Sequence, residues 1–273
     1  MNQPLEILTR ALDDFVVRRG ELKSVIAGYP WFLDWGRDAL IFVRGLIAAG
    51  KTQEALAILK QFGRFEHQGT LPNMIQGDDA GNRDTSDAPL WFIQACGELI
   101  KTGRADVFLD ETCGDRTLGQ ILLSIGQSYM TRTPNGIYMD PDSGLIFSPV
   151  HFTWMDTNHP AGTPREGYPI EIQALWHAAL RLLAEIDPAA NQPDWAALGD
   201  QVQTSVREWF FMENRGYLGD VLLGPPGTSA AEARRDDALR PNQLFALTLG
   251  LVSEPKITRG VLEACEKLLV PGG

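Results

Sequence analysis

Three segments of the chain mix aromatic rings with carboxylates and arginines, residue types that can stack on, hydrogen-bond and exchange protons with a polar ligand. The first, Gly28-Tyr-Pro-Trp-Phe-Leu-Asp-Trp-Gly-Arg-Asp38, sets Trp31, Phe32 and Trp35 beside Asp34, Arg37 and Asp38. Aromatic faces cover the C–H face of a pyranose, while Asp and Arg offer directional hydrogen bonds to its hydroxyls. The plainer account puts the rings in the core and makes Asp38 a helix cap. In the second segment, Asn82-Arg-Asp-Thr-Ser-Asp-Ala-Pro-Leu-Trp-Phe92, Asp87 directly precedes an apolar helix. An N-cap is its ordinary role there; Arg83 and Asp84 close by would make a polar subsite the alternative. The third is Phe152-Thr-Trp-Met-Asp156, followed by Thr163-Pro-Arg-Glu-Gly167 and Pro169-Ile-Glu-Ile-Gln-Ala-Leu-Trp176. A carboxyl desolvated against the Trp154 indole would hold a proton near neutrality, as a general acid must. The competing account is a solvated loop aspartate, with Glu171 favoured at a helix start by the helix dipole.

Other chemistries find little support. His67, His151, His159 and His177 show no metal-ligand spacing, although His151 and His159 flank Asp156. There is no G-x-S-x-G elbow, glycine-rich phosphate loop or Cys/His motif. Cys96, Cys113 and Cys265 are widely spaced and odd in number, which reads as reduced thiols rather than a disulfide framework or zinc site. No metal and no cofactor are expected.

Elements that could position these segments are mostly helical. Apolar residues recur at helical spacing in Leu5, Leu8, Leu12 and Phe15, in Leu118, Ile121, Leu122, Ile125 and Tyr129, and in Trp195, Leu198, Val202, Val206 and Trp209. Similar stripes occupy roughly 37–49, 53–65, 87–101, 170–187, 241–250 and 257–269, giving about nine helices. Gly50, Thr52, Asp194 and Pro241 stand where helices should end or begin. The exception is Asn135 to Phe147, a short β-hairpin turning at Asp-Pro-Asp-Ser-Gly. Short connections alternate with long ones at 24–36, 66–86, 132–168 and 213–239; long polar connections in a compact domain are usually either functional or disordered, and the aromatic content here favours function. A ring of paired helices would gather them at one mouth.

At 273 residues one domain over 1–273 is the expectation. The formal net charge of −11 disfavours a nucleic acid or an anionic membrane as partner and is indifferent to a neutral ligand. No signal peptide or long apolar run is read, so the expected location is cytoplasmic.

Taken in order, AGYPWFLDWGRD, TSDAPLWF, FTWMD, TPREGYPIEIQALW and LRPNQLFAL at 239–247 resemble the motifs of the amylo-α-1,6-glucosidase module of glycogen debranching enzymes, over nearly the whole chain. The resemblance implies a mainly α fold, an (α/α)6 barrel of paired helices, here incomplete with about nine of twelve, and inverting hydrolysis of the glucose on an α-1,6 branch of glycogen or another branched α-glucan. It implies Asp156 as general acid. It also implies that Arg37 and Asp38 hold the glucose, that Trp35, Asp87, Trp154 and Arg165 line its subsite, and that Glu171 binds a hydroxyl or orients a neighbour. The family's general base, a glutamate, comes from sequence beyond the equivalent of Gly273. Two other readings stay open: a glucan-binding fragment without turnover, and an exo-acting (α/α)-barrel glycosidase such as a trehalase.

Overall fold

A computed structural model describes residues 3–28, 30–77, 79–103, 105–157, 162–188 and 193–270. Among them are ten α-helices: α1 (Gln3–Phe15), α2 (Gly36–Ala48), α3 (Thr52–Gly63), α4 (Ala88–Ile100), α5 (Ala105–Leu109), α6 (Leu118–Thr131), α7 (Ile170–Ile186), α8 (Trp195–Trp209), α9 (Leu244–Thr248) and α10 (Pro255–Glu266). The protein is mainly α, as its apolar stripes imply. The helix not anticipated is α5, whose five residues are too few to display a period. No described helix is long and apolar enough to cross a membrane. The chain divides into two compact units, residues 1–125 and 126–273.

In the first unit α2 packs on α3 and α4. The stripe Ala39, Leu40, Val43, Leu46 and Ile47 of α2 is buried, as is Ala55, Ile58, Leu59 and Phe62 of α3. Helix α4 buries residues around its whole circumference, from Leu90 through Phe92 and Ile93 to Leu99, as an interior helix does. The start of α2 is fixed by a two-residue strand. Asp34–Trp35 pairs antiparallel with Met74–Ile75, and the Gly36 N–H donates to the Asn73 carbonyl at 2.8 Å. A Cβ on Gly36 would stand 2.5 Å from the Pro72 carbonyl oxygen, so only glycine permits this approach.

In the second unit α7 packs on α8 and α9. Helix α8 opens on Asp194, whose side chain accepts from the Ala197 N–H at 2.9 Å, the cap expected there. The hairpin expected before Phe147 is present. Tyr138–Met139 pairs with Ile146–Phe147, and the Tyr138 and Phe147 rings stack at 4.8 Å. The buried Gln173 of α7 reads this hairpin through its amide, donating to the Ile146 carbonyl at 2.9 Å and accepting the Ile146 N–H at 2.7 Å. A three-stranded antiparallel sheet was not anticipated: Val221–Leu223 lies between Gly167–Pro169 and Arg234–Asp236. Strands this short show too little alternation to stand out in a sequence. The cysteines are free and buried.

Gly167 joins the long loop to this sheet at φ +131°, and a Cβ there would lie 2.0 Å from the Leu222 carbonyl oxygen. Gly167→Ala should therefore lower stability by about 2 kcal/mol or more. Gly216→Ala, also at positive φ (+77°) but with nothing within 4 Å, should lose less. Urea midpoints of the two variants check this ordering.

Candidate active site

In the first unit, the Asp34–Trp35 strand delivers Arg37 and Asp38 to the first turn of α2. Asp38 is exposed, while Trp35 and Arg37 are half-buried. Arg37 Nε donates to Asp87 Oδ2, and the Thr85 hydroxyl donates to Asp87 Oδ1 at 2.7 Å. Asp87 thus has both oxygens engaged and is 2% exposed. Its side chain makes no cap bond to α4, although it stands at the N-cap position. Asp87, expected to line a sugar subsite, is interior and bonded to Arg37.

Other members of these motifs separate by exposure. Trp31 is 82% exposed and Phe32 61%, which removes the account in which they belong to the core. Asp34 is buried and accepts from Arg19 Nε at 3.0 Å, so it serves the fold. Arg83, considered for a polar subsite, instead donates to the Thr70 carbonyl at 2.9 Å and the Phe65 carbonyl at 2.7 Å, tying down the loop it lies on.

In the second unit, a long loop leaves the hairpin and returns to the sheet. Ser148 and Gly167 close its base by exchanging backbone hydrogen bonds of 2.7 and 3.1 Å. His151 (φ +61°) and Arg165 (φ +48°) both adopt the left-handed region that non-glycine residues avoid. Asp156 lies between them, half-buried, and follows Trp154, which is 46% exposed. Asp156 is thus partly withdrawn from solvent while the Trp154 beside it stays largely accessible. His159 lies outside the described residues. Among the described residues no cluster of His, Cys, Asp and Glu could hold a metal ion.

Beneath this surface Arg165 is 1% exposed. Its Nε donates to Asp220 Oδ2 at 2.8 Å and its Nη1 to Glu171 Oε1 and to the Thr153 hydroxyl, the latter at 3.2 Å. Nη2 donates to Glu171 Oε2 at 2.6 Å and Asp220 Oδ1 at 3.1 Å. A guanidinium has five N–H donors, and here they are directed to protein acceptors. Arg165, expected to line the sugar subsite, is buried and bonded to Glu171, Asp220 and Thr153. Glu171, in the first turn of α7, is 2% exposed and bonded to Arg165.

The charge balance of this cluster is tight. Burial works against the Arg165 charge, yet Glu171 and Asp220 more than offset it and hold its pKa above the ordinary arginine value. Burial pushes Glu171 above the usual carboxylate range; Arg165 opposes the shift and the second carboxylate, Asp220, adds to it. Arg240 supplies another cation, with Nη1 2.8 Å from Asp220 Oδ2 and 3.1 Å from Asp236 Oδ2. Asn242 completes the cluster by donating to Asp220 Oδ1 at 2.7 Å and accepting the Trp154 ring N–H at 3.0 Å. Asp220 carries no motif signature, and Asn242 was not singled out within its motif. The available signal was Asn242's place in LRPNQLFAL, between Arg240 and an apolar run.

The fold is that of an (α/α)-barrel glycosidase. A solved bacterial glucoamylase, in complex with acarbose, matches with a TM-score of 0.55 over 86% of this chain and 33% of its own, at 16% identity. The glycogen debranching enzyme of Saccharomyces cerevisiae is 25% identical over 241 residues, covering 67% of this chain and 16% of that protein. The family pattern described as amylo-alpha-1,6-glucosidase matches residues 10–273, and the chain belongs to this family of glycoside hydrolases. It spans about a sixth of the yeast relative and a third of the glucoamylase chain.

Removing the shared cation should be costly. Arg165→Met would leave Glu171 and Asp220 facing each other in the interior, a loss of about 3–5 kcal/mol at neutral pH. Burial raises the Glu171 pKa in the fold, so stability is fully present below the unfolded glutamate's pKa and declines as pH rises through the folded one. Without Arg165 that folded value lies higher still. The deficit against wild type in urea unfolding should therefore be smaller near pH 5 than near pH 8; a deficit independent of pH would contradict the account.

Proposed function

We propose that this chain contributes the general acid, Asp156, to a glycoside hydrolase that releases α-1,6-linked glucose at branch points of glycogen or a related α-glucan with inversion. The observation that carries this reading is the contrast in access among carboxylates of the second unit. Glu171 and Asp220 are each 2% exposed and committed to Arg165, whereas Asp156 is half-exposed on a braced loop beside Trp154. A proton donor must reach the glycosidic oxygen, and the sealed pair is not placed to do so.

In this mechanism Asp156 delivers its proton to the glycosidic oxygen as the C1–O bond breaks. A water attacks C1 from the opposite face, gives its own proton to the base and leaves the sugar as β-glucose. The base of an inverting enzyme stands roughly 6.5–9.5 Å from the acid; by the family pattern it is a glutamate C-terminal to the motifs matched here. The same pattern supports Trp35, Arg37 and Asp38 as contacts of the glucose, with Arg37 aimed by Asp87, and Trp154 as a stacking surface. A cytoplasmic location accords with such a substrate.

Asp156→Asn should cut glucose release from a limit dextrin by about 10²–10⁴-fold while binding of the glucan, followed by affinity electrophoresis, stays close to wild type. Undiminished release would remove Asp156 from the acid role. Release of glucose from trehalose in preference to a glucosyl-branched maltooligosaccharide would move the substrate to the trehalase class.

A further inference from the structure

We propose that Asn242, seated on the Arg165–Asp220 pair, is a positioning residue that fixes the segment 153–156 and thereby the direction of the Asp156 carboxyl. This rests on the reading of Asp156 as the general acid.

Each of the three residues before Asp156 is held by this cluster. The Thr153 hydroxyl accepts from Arg165 Nη1 at 3.2 Å and from the Met155 N–H at 3.3 Å. The Trp154 ring N–H donates to Asn242 Oδ1 at 3.0 Å, and Asn242 Nδ2 lies 3.6 Å from Met155 Sδ. The Trp154 indole is 46% exposed, and this bond gives it a directional tie to the buried cluster.

The chemistry of residue 242 is narrowly prescribed. Asn242 is 2% exposed, and its amide must donate toward Asp220 Oδ1 at 2.7 Å while accepting from Trp154. A primary amide does both. An aspartate there would present an oxygen to the Asp220 carboxylate and lose the donor, whereas a leucine would offer neither function. The support beneath is rigid: Asn242 lies in the 3₁₀ turn Pro241–Gln243. Gln243 of that turn accepts the Leu218 N–H and donates to the Arg240 carbonyl, each at 3.1 Å. The hydrogen bonds therefore run from a sealed ion cluster, through one amide, to the segment that ends at Asp156.

A leaving-group comparison in the full-length protein separates positioning of an acid from general structural support. A sugar alkoxide needs a proton to depart; fluoride departs without a general acid. Relative to wild type, Asn242→Asp should lower kcat on a glucosyl-branched maltooligosaccharide by about 10²-fold, the scale expected for a misplaced catalytic group. KM should change little, and the loss on α-glucosyl fluoride should be less than about tenfold. Asn242→Asp acts on the clamp through its base, by losing the donor toward Asp220. Trp154→Phe removes the Trp154–Asn242 hydrogen bond itself, from the exposed side and without touching a buried charge, and should show the same split in kcat if Asn242→Asp fails to fold. Equal losses on both substrates, or no loss on the glucan, would overturn the proposal. Asp156→Asn serves as the reference: if it shows no such split, the acid assignment fails instead. Amide hydrogen exchange then decides the clamp by itself. Trp154→Phe should speed exchange at 153–157 and leave α8 unchanged, and unaltered exchange at 153–157 would overturn the clamp whatever Asp156 does.

Discussion

A guanidinium buried at 1% exposure between two carboxylates is the constraint around which the second unit is arranged. An arginine cannot shed its charge, and an unpaired one in the interior costs several kcal/mol. The fold meets that demand by drawing partners from distant parts of the chain. Glu171 comes from the first turn of α7, Asp220 from the lead into the strand Val221–Leu223, and Thr153 from the loop itself. Arg240 and Asn242 arrive from the far side and occupy the remaining Asp220 lone pairs. Loss of Arg165 would leave Glu171 without its cation, whereas Asp220 would keep Arg240 and Asn242.

The loop accepts strain in return. His151 and Arg165 each hold a left-handed backbone that costs on the order of 1–3 kcal/mol, and they flank Asp156 on either side. Such conformations persist only where the surroundings over-determine them. Here the Ser148–Gly167 bonds close the base of the loop, and the Arg165 side chain is anchored on both carboxylates. Strain and anchoring thus meet at Arg165. In the first unit a simpler version of the same device operates, with Asp87 held by Thr85 and in turn holding Arg37 at the start of α2.

What could be read from the sequence follows the range of the interactions involved. The long helices show themselves because one-sided burial is written into their periodicity, and Asp194 and the Tyr138–Phe147 hairpin because caps and tight turns are local chemistry. The three-stranded sheet and α5 were not legible, being too short to carry a period. For the site, residue types were informative and side-chain directions were not. Asp87 and Arg165 have the chemistry of sugar contacts, and the fold buries both against partners distant in sequence, Arg37 at 50 residues and Asp220 at 55. Asp220 itself, in Tyr217-Leu-Gly-Asp220, has no local signal at all. Trp31 and Phe32 show the converse, apolar rings that composition would send to the core and that the fold leaves exposed.

The central claim divides these polar residues by role: Asp156 meets the substrate, while Arg165, Glu171, Asp220 and Asn242 hold it in place from behind. A crystal structure of the full-length protein bound to a glucosyl-branched maltooligosaccharide tests that division most directly. The account predicts an Asp156 carboxyl oxygen about 2.6–3.2 Å from the glycosidic oxygen, with the Arg165 cluster intact and making no contact with the sugar. A sugar hydroxyl bonded to Arg165 or Glu171, with Asp156 turned away from the scissile bond, would contradict it.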